Sequence, residues 1–565
     1  MKKVAWLALF LLTLIPATLP AQNNTGDPVL RAMRDELQRS VKELQFKDLD
    51  KPYFIQYTIL DEDEFSASAT FGAITDSGRT RDRAVQVQVR VGSYDFDNSE
   101  FAAGGGPFGG GQPPNGVLTT TVIDNDYNAV RHALWLATDS AYKQAVEQLA
   151  RKRAFVQNKV QEEKIPDFSK ETPTEAIGAR RTLDFDQNYW EKQLRDWSAV
   201  FKTFPNVIES DVSLNARLTH RYLVNSEGTE TMQPGLIVSL RANAAVQAPD
   251  GMYISHSVPF NATGFEQLPT PEIMTSTIRQ LATDLSAVRN APVLDADYSG
   301  PVLLVGQASA EMFARVLAPN LSGQRAPLSD RDQGNIRSEL SDRMNRPVLP
   351  RFLTVVDDPT EKRVGGKELI GTYSVDDQGV PAHKVTLVQD GILKDFLMSR
   401  RPTKNRPQSN GHGRSGFPGR ESAQIGNLFI RASESEGKSY GDLKKTLIDM
   451  CKTENLDYCL LIKAIDPDGR GPLGTPVLTY KVYVDDGREE LVRGASATTL
   501  SVRSLRQIEA VGNDSFVANR LTGAQNAATP VSVIAPSVLL EEVDLKRPSI
   551  AQQKPALLTH PYFKP

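Results

Sequence analysis

The chain has 565 residues, of which 40% are hydrophobic and 24% charged, with a formal net charge of −4. That length exceeds what one hydrophobic core organises, so two or more domains of ordinary soluble composition are expected. The charge gives no general pull toward nucleic acid or anionic lipid, which excludes a polyanion-binding role. With only Cys451 and Cys459 present, a disulfide framework and a four-cysteine zinc site are excluded as well.

Lys2 and Lys3 precede an apolar stretch from Val4 to Ile15, followed by PATLPA and the polar QNNTGD. This is the three-part pattern of a secretory signal peptide, with cleavage expected after Ala21 and an uncleaved anchor as the alternative. The apolar stretch is short for a bilayer span, and no later segment is long enough for one. Export to the periplasm or the extracellular space is therefore expected, with no membrane span once residues 1–21 are removed.

Asp27 and Pro28 then read as N-cap and first helical residue, with Leu30, Met33, Leu37, Val41 and Leu44 forming one apolar stripe. YFIQYTIL (53–60), FSASATFGAI (65–74) and the alternating VQVQVRV (85–91) predict strands of a sheet with one covered and one wet face. The acids Asp61, Glu62, Asp63 and Glu64 between them read as a solvated turn. FAAGGGPFGGGQPPNG (101–116) lacks the Lys-Ser/Thr ending and the helix start of a phosphate-binding loop, and reads as a low-complexity insertion.

A long helix is expected from about Tyr127 to Val156, and a shorter one over 186–201. A strand meander follows, with turns at NSEG (225–228) and PDG (249–251). A helix capped at Thr270, with Pro271 in its first turn, runs to Arg289. NAPVLDADYSG (290–300) marks the domain boundary, beyond which strands predominate, with hairpins in 368–400 and 477–494. The fold class is α+β. A mixed α/β N-terminal domain (22–295) precedes a β-rich, antiparallel and barrel-like C-terminal domain (296–545), with a tail at 546–565.

Chemistry is sparse. No histidine among the six has Glu beside it, and no two stand three to five residues apart, so no local metal motif exists. GxSxG is absent, and Ser140 to Lys143 sits mid-helix without companion motifs. Cys451 and Cys459 stand either as two buried thiols or as a disulfide. SNGHGRSGFPGRES (409–422) brings His412, Arg414 and Arg420 together among glycines, which suits a loop wrapping a ligand or, equally, an exposed flexible loop. After PVLLV (301–305) comes GQASAEMFARVLAP, where Glu311 and Arg315 stand four apart on a helical pattern. It is either ordinary packing or a disarmed active site.

The order of several segments resembles the TldD/PmbA family of metallopeptidase-related proteins, also described as modulators of DNA gyrase. The matching pieces are YFIQYTILDEDEFSASATFGAI, VQVRVGSYDFDN, NSEG, QAPDGM, PVLLVGQASAEMFARVLAPNLSG, DDQGVPAHKVTLVQDGILKDFLMSRR, SNGHGR, YKVYVDDGREELVRG and SLRQIEAVGND. The resemblance implies a dimer enclosing a cavity for unfolded or linear peptide. It also implies, in the TldD branch, a zinc peptidase with an HExxxH helix and a cysteine from the C-terminal domain. The PmbA branch, also called TldE, lacks that motif and pairs with a TldD-type subunit.

On this chain the motif falls on Ala310 to Arg315, with Glu311 retained as the one candidate catalytic residue and Ala310 and Arg315 in the places of the histidines. The cysteine position falls near LLIKAIDPDG, with Cys459 several residues early. No metal and no cofactor are therefore expected, because the family's zinc site is degenerate here. Arg315, His412, Arg414 and Arg420 are the candidate substrate-binding residues.

The function expected is a peptide-binding or partner subunit in proteolysis, as a homodimer or as a heterodimer with a metal-bearing TldD-type homologue, without nucleic acid. The alternatives are an active metallopeptidase with non-standard ligands and a non-enzymatic envelope protein.

Overall fold

The computed structural model describes residues 26–46, 49–102, 116–157, 164–329, 338–416, 421–497, 499–523, 528–547, 558 and 560–563. The signal segment, most of the glycine-rich insertion and Arg420 lie outside the described residues. The first helix, α1 (Pro28–Glu43), starts where Asp27 accepts the backbone N–H groups of Val29 at 2.9 Å and Leu30 at 3.3 Å. This satisfies donors the helix leaves orphaned. Leu30, Met33 and Leu37 of the stripe are buried and Leu44 packs against the same cluster, but Val41 is 40% exposed.

The sequence from residue 52 forms two long strands, β1 (Pro52–Thr70) and β2 (Ala73–Val91), paired antiparallel from Pro52↔Val91 to Thr70↔Ala73. The hairpin turns at Phe71 and Gly72, both at positive φ. The acidic run at 61–64 is therefore mid-strand rather than a turn, which corrects the sequence expectation. Asp61 is buried against the Arg83 guanidinium at 2.8 Å and Arg180 at 3.0 Å, while Glu62 and Glu64 alternate onto the opposite face. Charge that reads as solvated in sequence is here paired beneath the helices.

Helices α2 (Tyr127–Gln157) and α3 (Gln187–Ala199), strands β3 (Val207–Asn225), β4 (Glu230–Gln247) and β5 (Tyr253–Ala262), and helix α4 (Pro271–Asn290) complete the first unit. The sheet order is Val117–Thr120, β2, β1, β3, β4; β5 and Glu175–Ile177 both pair with β4. Ile55, Tyr57 and Ile59 of β1 pack with Val130, Leu134 and Ala141 of α2 in one apolar cluster. Phe65 and Ala67, of the same parity on β1, pack in a second cluster with Trp190 and Leu194 of α3 and Ile278 of α4. All four helices thus cover one face of the sheet; the other face is wet only in part, since Gln56, Thr58, Gln86, Gln88 and Arg90 are buried there, which corrects the expectation of one wet face.

The second unit begins at β6 (Tyr298–Leu304), followed by α5 (Gln307–Met312), β7 (Leu353–Asp357), β8 (Val385–Gln389), β9 (Asn427–Ala432) and α6 (Tyr440–Thr453). After these come β10 (Tyr458–Asp466), β11 (Thr475–Tyr483), β12 (Glu489–Val492), β13 (Ile508–Gly512), β14 (Phe516–Thr522), β15 (Thr529–Ala535) and β16 (Val538–Lys546). They form two open sheets. One runs Gly437–Lys438, β13, β16, β6, β10, β11, β12; the other runs Ile392–Leu393, β8, β7, β9, β15, β14.

The α+β class holds, but no closed barrel is found among the described residues. The sheets are also not purely antiparallel, since β6 pairs parallel with β10 and β9 with β15. One large apolar cluster between the sheets includes Leu304, Phe313, Leu387, Leu428, Ile462, Val533 and Leu540.

The two units lock together through buried charge. The Phe168 ring lies between the guanidinium carbons of Arg90, at 3.8 Å, and Arg400, at 4.0 Å. Arg400 also donates to the Ser169 carbonyl at 2.6 Å and pairs with Glu227 at 2.8 Å. Arg401 grips Glu100 with both prongs of its fork. Two planar cations on one aromatic ring, each with its own acceptors, fix the orientation of the units more firmly than apolar contact alone.

The candidate site at the domain cavity

β6 is buried at every position but one. Gly306, at φ 53°, then turns the chain sharply into α5. The side-chain amide of Gln307 exchanges two hydrogen bonds of 2.9 Å with the backbone of Ile465, where β10 departs from regular pairing with β11. Ser309 donates to the Pro536 carbonyl at 2.6 Å. These bonds pin a short helix between the two sheets, and the chain continues as a π-helical turn over Phe313–Leu317. Such turns are rare and concentrate at functional sites.

Glu311 emerges from this helix only 3% exposed. Arg520, projecting from β14, hydrogen-bonds its carboxylate directly. Arg315 Nε lies 3.5 Å from the same oxygen, Oε2. The remaining donors of Arg315 reach the Pro467 and Gly471 carbonyls. Burial draws the Arg520 guanidinium down to about 10, so it stays charged at neutral pH. It lowers Arg315 too, against the pull of Asp466 and Asp468. One carboxylate thus sits between two permanent cations.

The cluster lies at one end of a cavity of about 2210 Å³ between the helix-free face of the first sheet and the second unit. At that end Ser257 donates to Asp468 at 2.9 Å, Arg241 pairs with the same carboxylate, and Asn261 donates to the Asn519 carbonyl at 2.9 Å. At the far end Arg221 pairs with Asp377 at 3.3 Å and Gln233 donates to the Val375 carbonyl at 3.2 Å. β14 lines the cavity as the last strand of its sheet and, among the described residues, pairs only with β15.

The glycine-rich segment divides. His412 is fully buried, with Nε2 3.1 Å from Asp357 and Nδ1 2.9 Å from the Asn410 carbonyl. It ties the loop to β7 and has no surface open to a ligand. Gly411, at φ 76°, lies so near the Pro381 carbonyl that a Cβ there would fall 2.0 Å from it, which explains one of the glycines. Arg414 does line the cavity, stacked 4.2 Å over the Tyr373 ring and 3.6 Å from Asp377. Of the sequence candidates, Glu311, Arg315 and Arg414 belong to the cavity region, and His412 serves the loop that carries Arg414.

Arg520 and Asp468 went unnoticed in sequence. FVANRLT offers no pattern that singles out its arginine, whereas Asp468 lies within LLIKAIDPDG, the segment at the expected cysteine position. Cys459 itself is bonded to Cys451, with Cα atoms 6.0 Å apart, and packs with α6 in a cluster separate from the one around α5.

A two-unit α+β protein with a half-open cavity between its units and a buried ionic cluster on the helix after its central strand is the class these features define. Residues 298–547 match the PmbA/TldA metallopeptidase C-terminal domain, so the second unit carries a domain of that family.

A metalloprotease of Archaeoglobus fulgidus is 38% identical over 76 residues, which is 14% of this chain and 16% of that one. A metalloprotease of Methanothermobacter thermautotrophicus is 22% identical over 346 residues, 59% of this chain and 68% of that one. The chain therefore matches only about a sixth of the length of the Archaeoglobus relative. TldE from Thermococcus kodakarensis shares the fold with a TM-score of 0.58 at 14% identity, covering 91% of this chain and 100% of that one. A Thermotoga maritima protein described as a modulator of a DNA gyrase shares it at 0.54 and 17%, covering 87% and 96%.

The residues around Glu311 do not fit a zinc ion. Ala310 offers no donor atom, two guanidiniums repel a cation, and the carboxylate is already engaged. Among the described residues no group of three or more His, Cys, Asp or Glu is placed to hold a metal.

Proposed function

We propose that the chain is an exported TldD/PmbA-family protein that binds unfolded or linear peptide in the cavity between its units. It does not cleave that peptide alone, and serves as the metal-lacking, PmbA-type partner of a metal-bearing homologue. The observation that carries this reading is the clamp of Arg520 and Arg315 on Glu311, which puts permanent positive charge where a peptidase of this family would need a Lewis acid.

The cavity, at about 2210 Å³, exceeds the roughly 300–1,000 Å³ typical of small-molecule sites. An extended segment of several residues suits it better. The edge of β14, unpaired among the described residues, offers backbone groups to such a segment, a mode in which affinity does not depend on sequence. Export is supported by the N-terminal pattern and by the Cys451–Cys459 bond, since disulfides persist in oxidising compartments.

The test is to purify the mature chain alone and together with a homologue carrying intact HExxxH, determine bound zinc, and assay cleavage of quenched fluorescent unstructured peptides. The expected result is peptide binding without stoichiometric zinc for the chain alone, and chelator-sensitive cleavage only with the partner. Stoichiometric zinc with chelator-sensitive cleavage by the isolated chain would refute it.

A further inference from the structure

Seven carboxylates line the cavity: Glu62, Glu64, Asp211, Glu311, Glu368, Asp377 and Asp468. Five are held by arginine, namely Glu64 by Arg217, Asp377 by Arg221, Asp468 by Arg241, Glu311 by Arg520 and Glu368 by Arg363. Asp211 accepts from Ser213. Glu62 alone forms no hydrogen bond and no ion pair with any described residue. Its carboxylate is half-buried in the cavity wall, where no described side chain offers it a donor.

The local charges explain why it stays unpaired. Glu62 lies mid-way along β1, opposite Thr219 of β3, on the same face as Glu64. The two nearest cations are already spent, Arg217 on Glu64 through Nε at 3.2 Å and Nη2 at 3.3 Å, and Arg221 on Asp377 at 3.3 Å. Burial pushes the Glu62 carboxyl up, Glu64 and Asp82 add to this, and Arg217 and Arg221 oppose it. Glu62 thus faces the cavity with both flanking guanidiniums turned to other carboxylates.

We infer that Glu62 receives a cationic side chain of the bound peptide, lysine or arginine, and thereby sets a preference for a basic residue at one position of the ligand. An ammonium or guanidinium would supply the missing donors, and the cavity wall would exclude enough water to make the pair discriminating. The inference rests on the peptide-binding reading and deepens it, because strand addition along β14 is indifferent to side chains while Glu62 is not.

The test uses the full mature chain and fluorescein-labelled, unstructured nonapeptides identical except for one residue, which is Lys, Gln or Glu, walked along the sequence. Affinities are measured by fluorescence anisotropy. At one position the Lys peptide is expected to bind about tenfold more tightly than the Gln peptide, a difference of about 1.4 kcal/mol. In Glu62→Gln that preference shrinks below about twofold, the Gln peptide keeps its affinity and the thermal midpoint does not fall, since no bond is lost. Peptides that bind without a Lys preference, or a preference that survives Glu62→Gln, overturn the inference while leaving the peptide reading intact. Failure of every peptide to bind overturns both.

Discussion

Replacing Glu311 by glutamine keeps its shape and removes its charge, and the consequence can be worked from its two partners. Arg315 retains the Pro467 and Gly471 carbonyls as acceptors, so it loses little. Arg520 has Glu311 as its only ion-pair partner among the described residues, and its side chain is 18% exposed. Stripping the partner from a buried pair costs about 3–5 kcal/mol, and the residual exposure of Arg520 places the expected cost at the lower end, about 3 kcal/mol. For a unit the size of residues 298–547 this is a fall of about 6–12 °C in its unfolding midpoint.

The double variant Glu311→Leu/Arg520→Met should recover most of the loss, because apolar groups of similar size often replace a buried pair at no net cost. Calorimetry of wild type, single variants and double variant forms the cycle. A Glu311→Gln cost below about 0.5 kcal/mol, or a coupling near zero, would refute the clamp. A metal site predicts something different: chelator would lower the wild-type midpoint, and Glu311→Gln would abolish that effect.

Three further outcomes are expected. His256, buried and with no partner for its Nδ1 among the described residues, is pushed by desolvation down to about 4. Its folded value lies below the unfolded one of about 6.5, so the stability it contributes is full above pH 6.5 and drains away toward pH 4. The loss is about 3 kcal/mol, so in urea melts wild type should lose about that much relative to His256→Leu as pH falls from 6.5 to 4, and a difference that does not change with pH would refute it. Arg400→Ala leaves Glu227 buried without its cation and frees the Phe168 ring. About 3 kcal/mol should be lost between the units, seen as faster limited proteolysis, and unchanged proteolysis would refute the lock. Cys451→Ala/Cys459→Ala opens a loop of sequence separation 8, expected to cost about 2–3 kcal/mol in denaturant melts; a cost near zero would remove the bond's stabilising role.

Much of the first unit was legible because its signals are local. Asp27-Pro28 caps α1, and the alternation of VQVQVRV puts its valines under the helices, but Gln86, Gln88 and Arg90 on the other face are buried as well, so the wet face that the alternation implied is not found there. The acidic run at 61–64 misled because charge ordinarily reports solvent. Here Arg83 and Arg180, distant in sequence, make burial of Asp61 affordable. The barrel-like expectation failed for a related reason. Strand patterns show how many strands a chain has, but pairings such as β9 with β15 join residues about a hundred apart and leave no mark on either strand.

The sequence by itself determined which residues stand at the critical helix. Ala310, Glu311 and Arg315 follow a buried strand, and the donor chemistry of those side chains does not depend on the fold. Only the tertiary structure decided what Glu311 faces. Arg520 is brought to it from 209 residues away across a sheet, while Cys459 is committed to Cys451 against α6. It also decided that Glu62, one acid in a run of four, is the cavity carboxylate without a partner among the described residues. Periodicity assigns a side chain to a face, but which charges meet across a cavity depends on chain segments that local sequence does not connect.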